Sequence, residues 1–160
     1  MRKSLYFVGA AGVIVATGLG AGRLLADQDY FQPVRDPVVA KECSSCHMLY
    51  PVGLLPAQSW ARIVNGLANH FGENASVDAQ TAEQLKAYLT GGDASALQVR
   101  ARRGGPGQAE PPLRITELDW FRAEHGPRKA SPAALQARGA KSLGDCAACH
   151  RDAALGIFED

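Results

Sequence analysis

Three observations predict an all-α chain folded as two small lobes joined by a Gly/Pro/Arg-rich linker. Apolar residues recur at helical spacing, as Trp60, Ile63, Val64 and Leu67 and again as Ala82, Leu85, Tyr88 and Leu89, and no segment alternates with period two for long enough to make a strand. Between these stripes and the C-terminal part, Gly91-Gly92, Gly104-Gly105-Pro106-Gly107 and Pro111-Pro112 break any periodic element. One pentapeptide pattern then occurs once on each side of that break, as Cys43-Ser44-Ser45-Cys46-His47 and Cys146-Ala147-Ala148-Cys149-His150. The expected organisation is a signal peptide or N-terminal anchor over 1–26, a first lobe over 27–92, a linker over 93–112 and a second lobe over 113–160.

The elements follow in order. Arg2 and Lys3 precede an uncharged, Gly- and Ala-rich run from Leu5, which Arg23 interrupts before Asp27 opens a polar stretch; this reads as a secretory signal ending at Ala26. Residues 5–26 are also long enough to span a bilayer, so an uncleaved anchor in contact with the membrane is the alternative. Either way the rest of the chain is expected in the periplasm. Tyr30 to Val39 is expected to be extended, because Pro33 and Pro37 oppose a regular helix. Pro51 and Pro56 bracket an apolar loop, Val52-Gly53-Leu54-Leu55, suited to covering the edge of a flat group. A helix is expected from Pro56 or Ala57 to about Asn69, with Phe71 beyond it and Gly72 as its stop. A second runs from Ala79 to Thr90, capped by Asp78 and Gly91. In the C-terminal part a helix is expected from Glu117 to His125 with Thr116 as N-cap, ended by Gly126-Pro127. Another starts at the Ser131-Pro132 cap and runs to about Leu143, stopped by Gly144. Arg100, Arg102 and Arg103 lie in the linker, where they read mainly as solvated charges; pairing with acidic groups of a cofactor or partner is the sharper alternative.

The pattern C-x-x-C-H is the attachment site of a c-type haem. Its two cysteines form thioethers to the vinyl groups of one porphyrin, and the adjacent histidine supplies an axial nitrogen to iron. The two copies use all four cysteines of the chain. Competing readings are weaker. A thioredoxin-like dithiol needs a βαβ surround, which is missing. A zinc ribbon places its cysteine pairs roughly 15–20 residues apart, far closer than Cys46 and Cys146. Disulfides leave the two following histidines unexplained. Two covalently bound c-type haems are therefore expected, and a haem buried in each lobe would supply core that lobes of about 60 residues lack.

The sixth ligands follow from a count. The chain has four histidines and two methionines. His47 and His150 are taken by the motifs. Met1 is the initiator, and Met48 adjoins His47 and cannot reach the opposite face of the same ring. His70 and His125 remain for the two vacant positions, the first at the end of an amphipathic helix and the second at the end of a short one, both helices bearing aromatic residues. The bland alternative is a histidine that merely complements a helix C-terminus. Pairing within each lobe is the simplest arrangement, with a crossed pairing left open.

Composition bounds the partners. Three of the 17 basic residues and none of the 16 acidic ones precede Asp27, so the remainder carries a formal charge of −2. That excludes a basic nucleic-acid footprint and leaves docking to local patches. No Ser/His/Asp set, phosphate loop or paired-carboxylate site stands out.

With the motifs placed, most of residues 40–155 resembles the small soluble dihaem cytochrome c family. The resemblance rests on Cys43-Ser44-Ser45-Cys46-His47-Met48, Leu54-Leu55-Pro56-Ala57-Gln58-Ser59-Trp60, Asn69-His70-Phe71-Gly72-Glu73-Asn74-Ala75-Ser76, Trp120-Phe121 with Glu124-His125, and the terminal C-x-x-C-H. The Gly- and Arg-rich linker has no match. The resemblance implies a first lobe like a class I cytochrome c, an unusual second lobe and two bis-histidine, low-spin haems. Studied members of that family donate electrons to an oxygen-binding monohaem cytochrome, the sphaeroides haem protein. The expected function is thus a non-enzymatic periplasmic electron carrier, with a monohaem cytochrome as acceptor and a membrane cytochrome as donor. The alternatives are an electron-transfer subunit of a larger periplasmic reductase and, against the histidine count, a haem peroxidase or gas sensor.

Overall fold

The computed structural model describes residues 30–91 and 110–158. The expectations for residues 1–26 and for Arg100, Arg102 and Arg103 lie outside the described residues. Within them the chain is mostly helical, and its only β pairings are isolated bridges.

The first helix, α1 (Pro37–Cys43), replaces the extended lead-in expected up to Val39. Pro37 opposes a helix interior but suits the first helical position, where its missing N–H has no intrahelical partner to lose. Asp36 completes the start: its Oδ1 accepts from the N–H groups of Val38 at 2.9 Å and Val39 at 3.0 Å. The Val39 donor is the main cause holding the Asp36 carboxyl below its ordinary value. α1 ends on Cys43, so the helix delivers the first motif.

The loop after Pro51 is a single 3-10 turn, Val52–Leu54, buried throughout. Trp60 fixes it by donating its indole N–H to the Val52 carbonyl at 2.8 Å. Helix α2 (Ala57–Asn65) is shorter than its apolar stripe suggests. Gly66 closes it, and a 3-10 turn over Leu67–Asn69 continues the chain and keeps Leu67 against the core. Helix α3 (Ala79–Thr90) has the predicted bounds. The Asp78 carboxylate accepts from the Thr81 N–H and hydroxyl at 3.0 and 2.6 Å. Gly91 is required at the other end, where a Cβ would stand 2.6 Å from the Ala87 carbonyl oxygen.

The C-terminal half departs further from expectation. Ile115–Glu117 is a 3-10 turn, and α4 (Asp119–Glu124) begins after Leu118, so Thr116 is not its cap. Burial of Leu118 and Phe121 in the core sets that start rather than capping. Helix α5 (Pro132–Ala137) begins as predicted, with the Ser131 hydroxyl accepting from the Ala134 N–H at 3.1 Å. It ends well before Leu143. Gly139 takes φ +67°, its N–H reaches the Gln136 carbonyl, and the Ala140 N–H reaches the Leu135 carbonyl. This is a Schellman closure, and Gly139, not Gly144, is the stop. Cys146–Ala148 and Ala153–Leu155 are single 3-10 turns.

One apolar cluster joins the halves. Val39 of α1, Val52, Leu55, Trp60 and Val64 of α2, and Leu85 and Leu89 of α3 pack with Leu118 and Phe121. Burying each large side chain of this kind contributes about 1.5–3 kcal/mol. Polar ties reinforce the join: Ser59 Oγ donates to the Pro112 carbonyl at 2.7 Å and Tyr50 Oη to the Gly144 carbonyl at 2.7 Å. The ends of the described chain meet as well. Tyr30 and Ile157 form an antiparallel bridge, and the Phe31 N–H donates to the Gly156 carbonyl at 2.7 Å.

That closure depends on Gly156. Its φ is +79°, and a Cβ there would lie 1.7 Å from the Phe31 carbonyl oxygen. Gly156→Ala is therefore expected to cost about 3 kcal/mol or more, the range of strain plus backbone clash. Gly139→Ala has open space around its Cβ and is expected to cost only about 1 kcal/mol for the left-handed backbone. Denaturant unfolding of the two holoproteins checks the order; equal losses would show that residues 30–31 do not hold the C-terminus.

Candidate functional site

The first centre forms where α1 runs out. Its last residue is Cys43, a turn carries Ser44 to Cys46, and His47 follows with its Nδ1 2.7 Å from the Met48 carbonyl oxygen. A carbonyl only accepts, so Nδ1 carries the proton and Nε2 keeps a free lone pair, the ligating tautomer.

His70 is aimed at His47 by a tight turn. Phe71 and Gly72 take φ of 56° and 108°, and the backbones of His70 and Glu73 exchange both hydrogen bonds at 2.7 and 3.2 Å. Two successive positive φ values match a type I′ turn. Asn69 Oδ1 braces it by accepting from the Gly72 N–H at 3.0 Å. The His47 and His70 rings stand 6.2 Å apart between centroids, 25° from parallel. Burial, then the neighbouring His47 and Arg114, push the His70 pKa down, which favours the neutral imidazole needed for ligation. The Arg114 guanidinium lies 4.3 Å from the Phe71 ring centroid, a cation–π contact. Phe71 itself is 44% exposed, and an open cavity of about 420 Å³ borders the turn, lined by Arg62, Ile63, Asn69 and Phe71 among others.

The second centre is built from α4 and the terminal turns. His125 caps α4, with its Nδ1 3.1 Å from the Phe121 carbonyl oxygen. Its ring stacks on that of Phe121, with centroids 3.9 Å apart and planes within 7°. His150 follows the Cys146–Ala148 turn, its N–H donating to the Cys146 carbonyl at 2.8 Å. The His125 and His150 centroids are 6.0 Å apart, with planes at 77°. The Phe158 ring stands 5.5 Å from that of His150, with planes at 65°.

Each pair has the spacing of two imidazoles on one iron. Metal–nitrogen bonds of about 2 Å on both sides, each extended by about 1 Å to the ring centre, span about 6 Å. The four candidate ligands thus come together as His47 with His70 and His125 with His150, and the crossed arrangement does not occur. The four cysteines form no disulfide. Burial pushes the Cys43 thiol up and the Cys146 thiol up to about 11, unlike a reactive dithiol, whose nucleophile has a lowered pKa. Among the described residues no three His, Cys, Asp or Glu side chains gather to bind a metal ion, which sets aside the zinc alternative. Two facing imidazoles and two free thiols at each centre fit a covalent haem.

Tyr50 belongs to this arrangement although nothing in its sequence position marks it. Its ring lies 4.9 Å from that of His47. Its hydroxyl donates to the Gly144 carbonyl, which also accepts from Cys146 Sγ at 3.5 Å. Burial raises its pKa, keeping the phenol protonated and a donor. One side chain therefore touches the axial side of the first centre and the attachment side of the second. Phe121 was visible only as an aromatic residue near His125; its face-to-face contact needed the fold.

The family model for dihaem cytochrome c matches residues 39–158. A diheme cytochrome c from Rhodobacter sphaeroides is 43% identical, with a TM-score of 0.69 over 79% of this chain and 99% of that one. A second structure of that organism's protein is 41% identical with a TM-score of 0.62, over the same shares of both chains. A diheme cytochrome from Shewanella baltica is 34% identical with a TM-score of 0.59, over 77% of this chain and 86% of that one. No curated protein matches this chain. Facing histidine pairs beside two complete C-x-x-C-H motifs, on a fold shared with these structures, place the chain in the dihaem cytochrome c family, as an electron-transfer cytochrome with two covalently bound c-type haems.

Proposed function

We propose that this chain is a periplasmic carrier of single electrons in which both haems are closed on both faces by histidine. Cys43 and Cys46 would carry the first haem and Cys146 and Cys149 the second; His47 and His70 would hold one iron, and His125 and His150 the other. The observation that carries this reading is the pair of imidazole gaps, 6.2 and 6.0 Å. Bound haem supplies an iron that takes up and releases one electron at a time. Two imidazoles on one iron would hold it low-spin in both oxidation states, so little rearrangement of the side chains would accompany each transfer. They also leave no position for peroxide or a diatomic gas, which argues against the peroxidase and sensor readings. Without the methionine thioether that raises potential in His/Met cytochromes, both centres belong at low potential.

Residues 27–92 and 113–160 serve as the two haem-bearing lobes, residues 93–112 as their linker, and residues 1–26 as export signal or anchor. The partners are redox proteins: a monohaem cytochrome as acceptor and a membrane cytochrome as donor. The nearly neutral exported part suits docking through local contacts around the exposed haem edges.

Acid–acetone extraction is expected to leave two haems on each polypeptide. His70→Ala and His125→Ala are each expected to convert one haem to a high-spin or water-ligated form in electron paramagnetic resonance. If both variants keep the wild-type low-spin spectrum, the ligand assignment fails. Rapid peroxide turnover or tight carbon monoxide binding by the untreated reduced protein would reveal an open iron.

Tyr50→Phe keeps the ring beside His47 and removes the bond to Gly144. It is expected to cost about 1 kcal/mol of stability and to slow electron equilibration between the haems severalfold. Time-resolved absorption after partial photoreduction measures the latter; an unchanged rate would confine Tyr50 to a structural role.

A further inference from the structure

Two buried side-chain nitrogens among the described residues have no hydrogen-bond partner: Trp120 Nε1 and His150 Nδ1. His150 belongs to the second centre, and the Trp120 ring is one aromatic neighbour away from His125, through Phe121. Trp120 precedes Phe121, which stacks on His125. The Trp120 ring is 6.4 Å from Phe31, Phe31 is 5.6 Å from Phe158, and Phe158 is 5.5 Å from His150.

An indole nitrogen is a donor only. Buried tryptophans ordinarily find an acceptor, because a buried donor left unpaired costs about 1–3 kcal/mol. The other tryptophan obeys this rule through its 2.8 Å bond to the Val52 carbonyl. Trp120 has no such acceptor among the described residues. The porphyrin edge carries vinyl-derived thioethers and methyl groups, which are poor acceptors, and two propionates, which are strong ones. An ionised carboxylate is acceptor-only and forms the shorter, charge-assisted kind of bond.

We propose that Trp120 anchors the second haem, its indole N–H donating to a propionate carboxylate. The thioethers already fix the ring, so the bond orders the propionate arm. It also withdraws part of the propionate's negative charge from the iron. That charge favours the ferric state, so Trp120 raises the potential of the second haem above the value it would have with the propionate unbonded. Arg114, beside Phe71 and His70 at the first centre, has no part in this contact, so the effect is confined to one haem.

The proposal rests on two haems being bound and low-spin, and haem content with electron paramagnetic resonance checks that reading separately. The test uses the full-length holoprotein and Trp120→Phe, which keeps an aromatic ring and removes the donor. In variants with two haems and a wild-type low-spin spectrum, the propionate-bending band in resonance Raman is expected to shift to lower frequency. The potential of one haem falls while the other is unchanged. An unmoved band together with two unmoved potentials overturns the proposal and assigns the indole to another acceptor, such as a buried water. Should Trp120→Phe fail to hold its haems, ultraviolet resonance Raman of the wild type reads its two indole N–H groups directly. Both are expected at the hydrogen-bonded frequency, and a free-indole component amounting to one of the two overturns the proposal.

Discussion

The gap of about 6 Å between paired imidazoles is the constraint on which the rest of this structure depends. A chain of 160 residues must hold four rings in two facing pairs. It does so with local devices, a different one at each ring. His47 is tied to the next carbonyl, His70 is carried on a two-residue turn, His125 is stacked on Phe121, and His150 is seated on a 3-10 turn. At His47 and His125 the ring nitrogen itself is held by a carbonyl, the support that keeps a metal ligand in place and sets its tautomer; at His70 and His150 the backbone turn does the positioning.

Those devices need a common frame, and the frame is shared. Leu118 and Phe121 sit in the same cluster as α1, α2 and α3, so α4 cannot move without disturbing the core beneath the first centre. The Phe121 side chain has two roles: it fills that core and it faces His125. Tyr50 ties the centres more directly, through a ring against His47 and a hydroxyl on the carbonyl beside Cys146. The two histidine pairs are thus joined through Tyr50 and Phe121 as well as through the common core.

Phe71 shows how local strain serves this purpose. A non-glycine residue at φ 56° is uncommon and costs of order 1 kcal/mol or more. Here the left-handed backbone is what a type I′ turn requires, and that turn brings His70 back over His47. The exposed Phe71 ring is then covered in part by Arg114 from the C-terminal half, so the turn is also a point of contact between halves.

The sequence by itself determined the chemistry: Cys43, Cys46, His47 and their counterparts Cys146, Cys149 and His150 are adjacent in the chain, so their spacing states the cofactor. It also determined that His70 and His125 were the candidates left for the remaining positions, because four histidines and an unusable Met48 leave no others. Helix α3 was readable end to end, since Asp78 and Gly91 act through bonds within one turn. The Asp36–Pro37 start of α1 and the Gly139 stop of α5 were equally local signals; the extended reading of Tyr30 to Val39 and the extension to Leu143 gave them the wrong weight. The tertiary structure alone decided which histidine faces which, that Leu118 rather than Thr116 opens α4, and that Tyr50, Phe121 and Gly156 matter. The reason is physical: these depend on groups distant in sequence meeting through a packed core, and a one-dimensional period carries no information about such meetings.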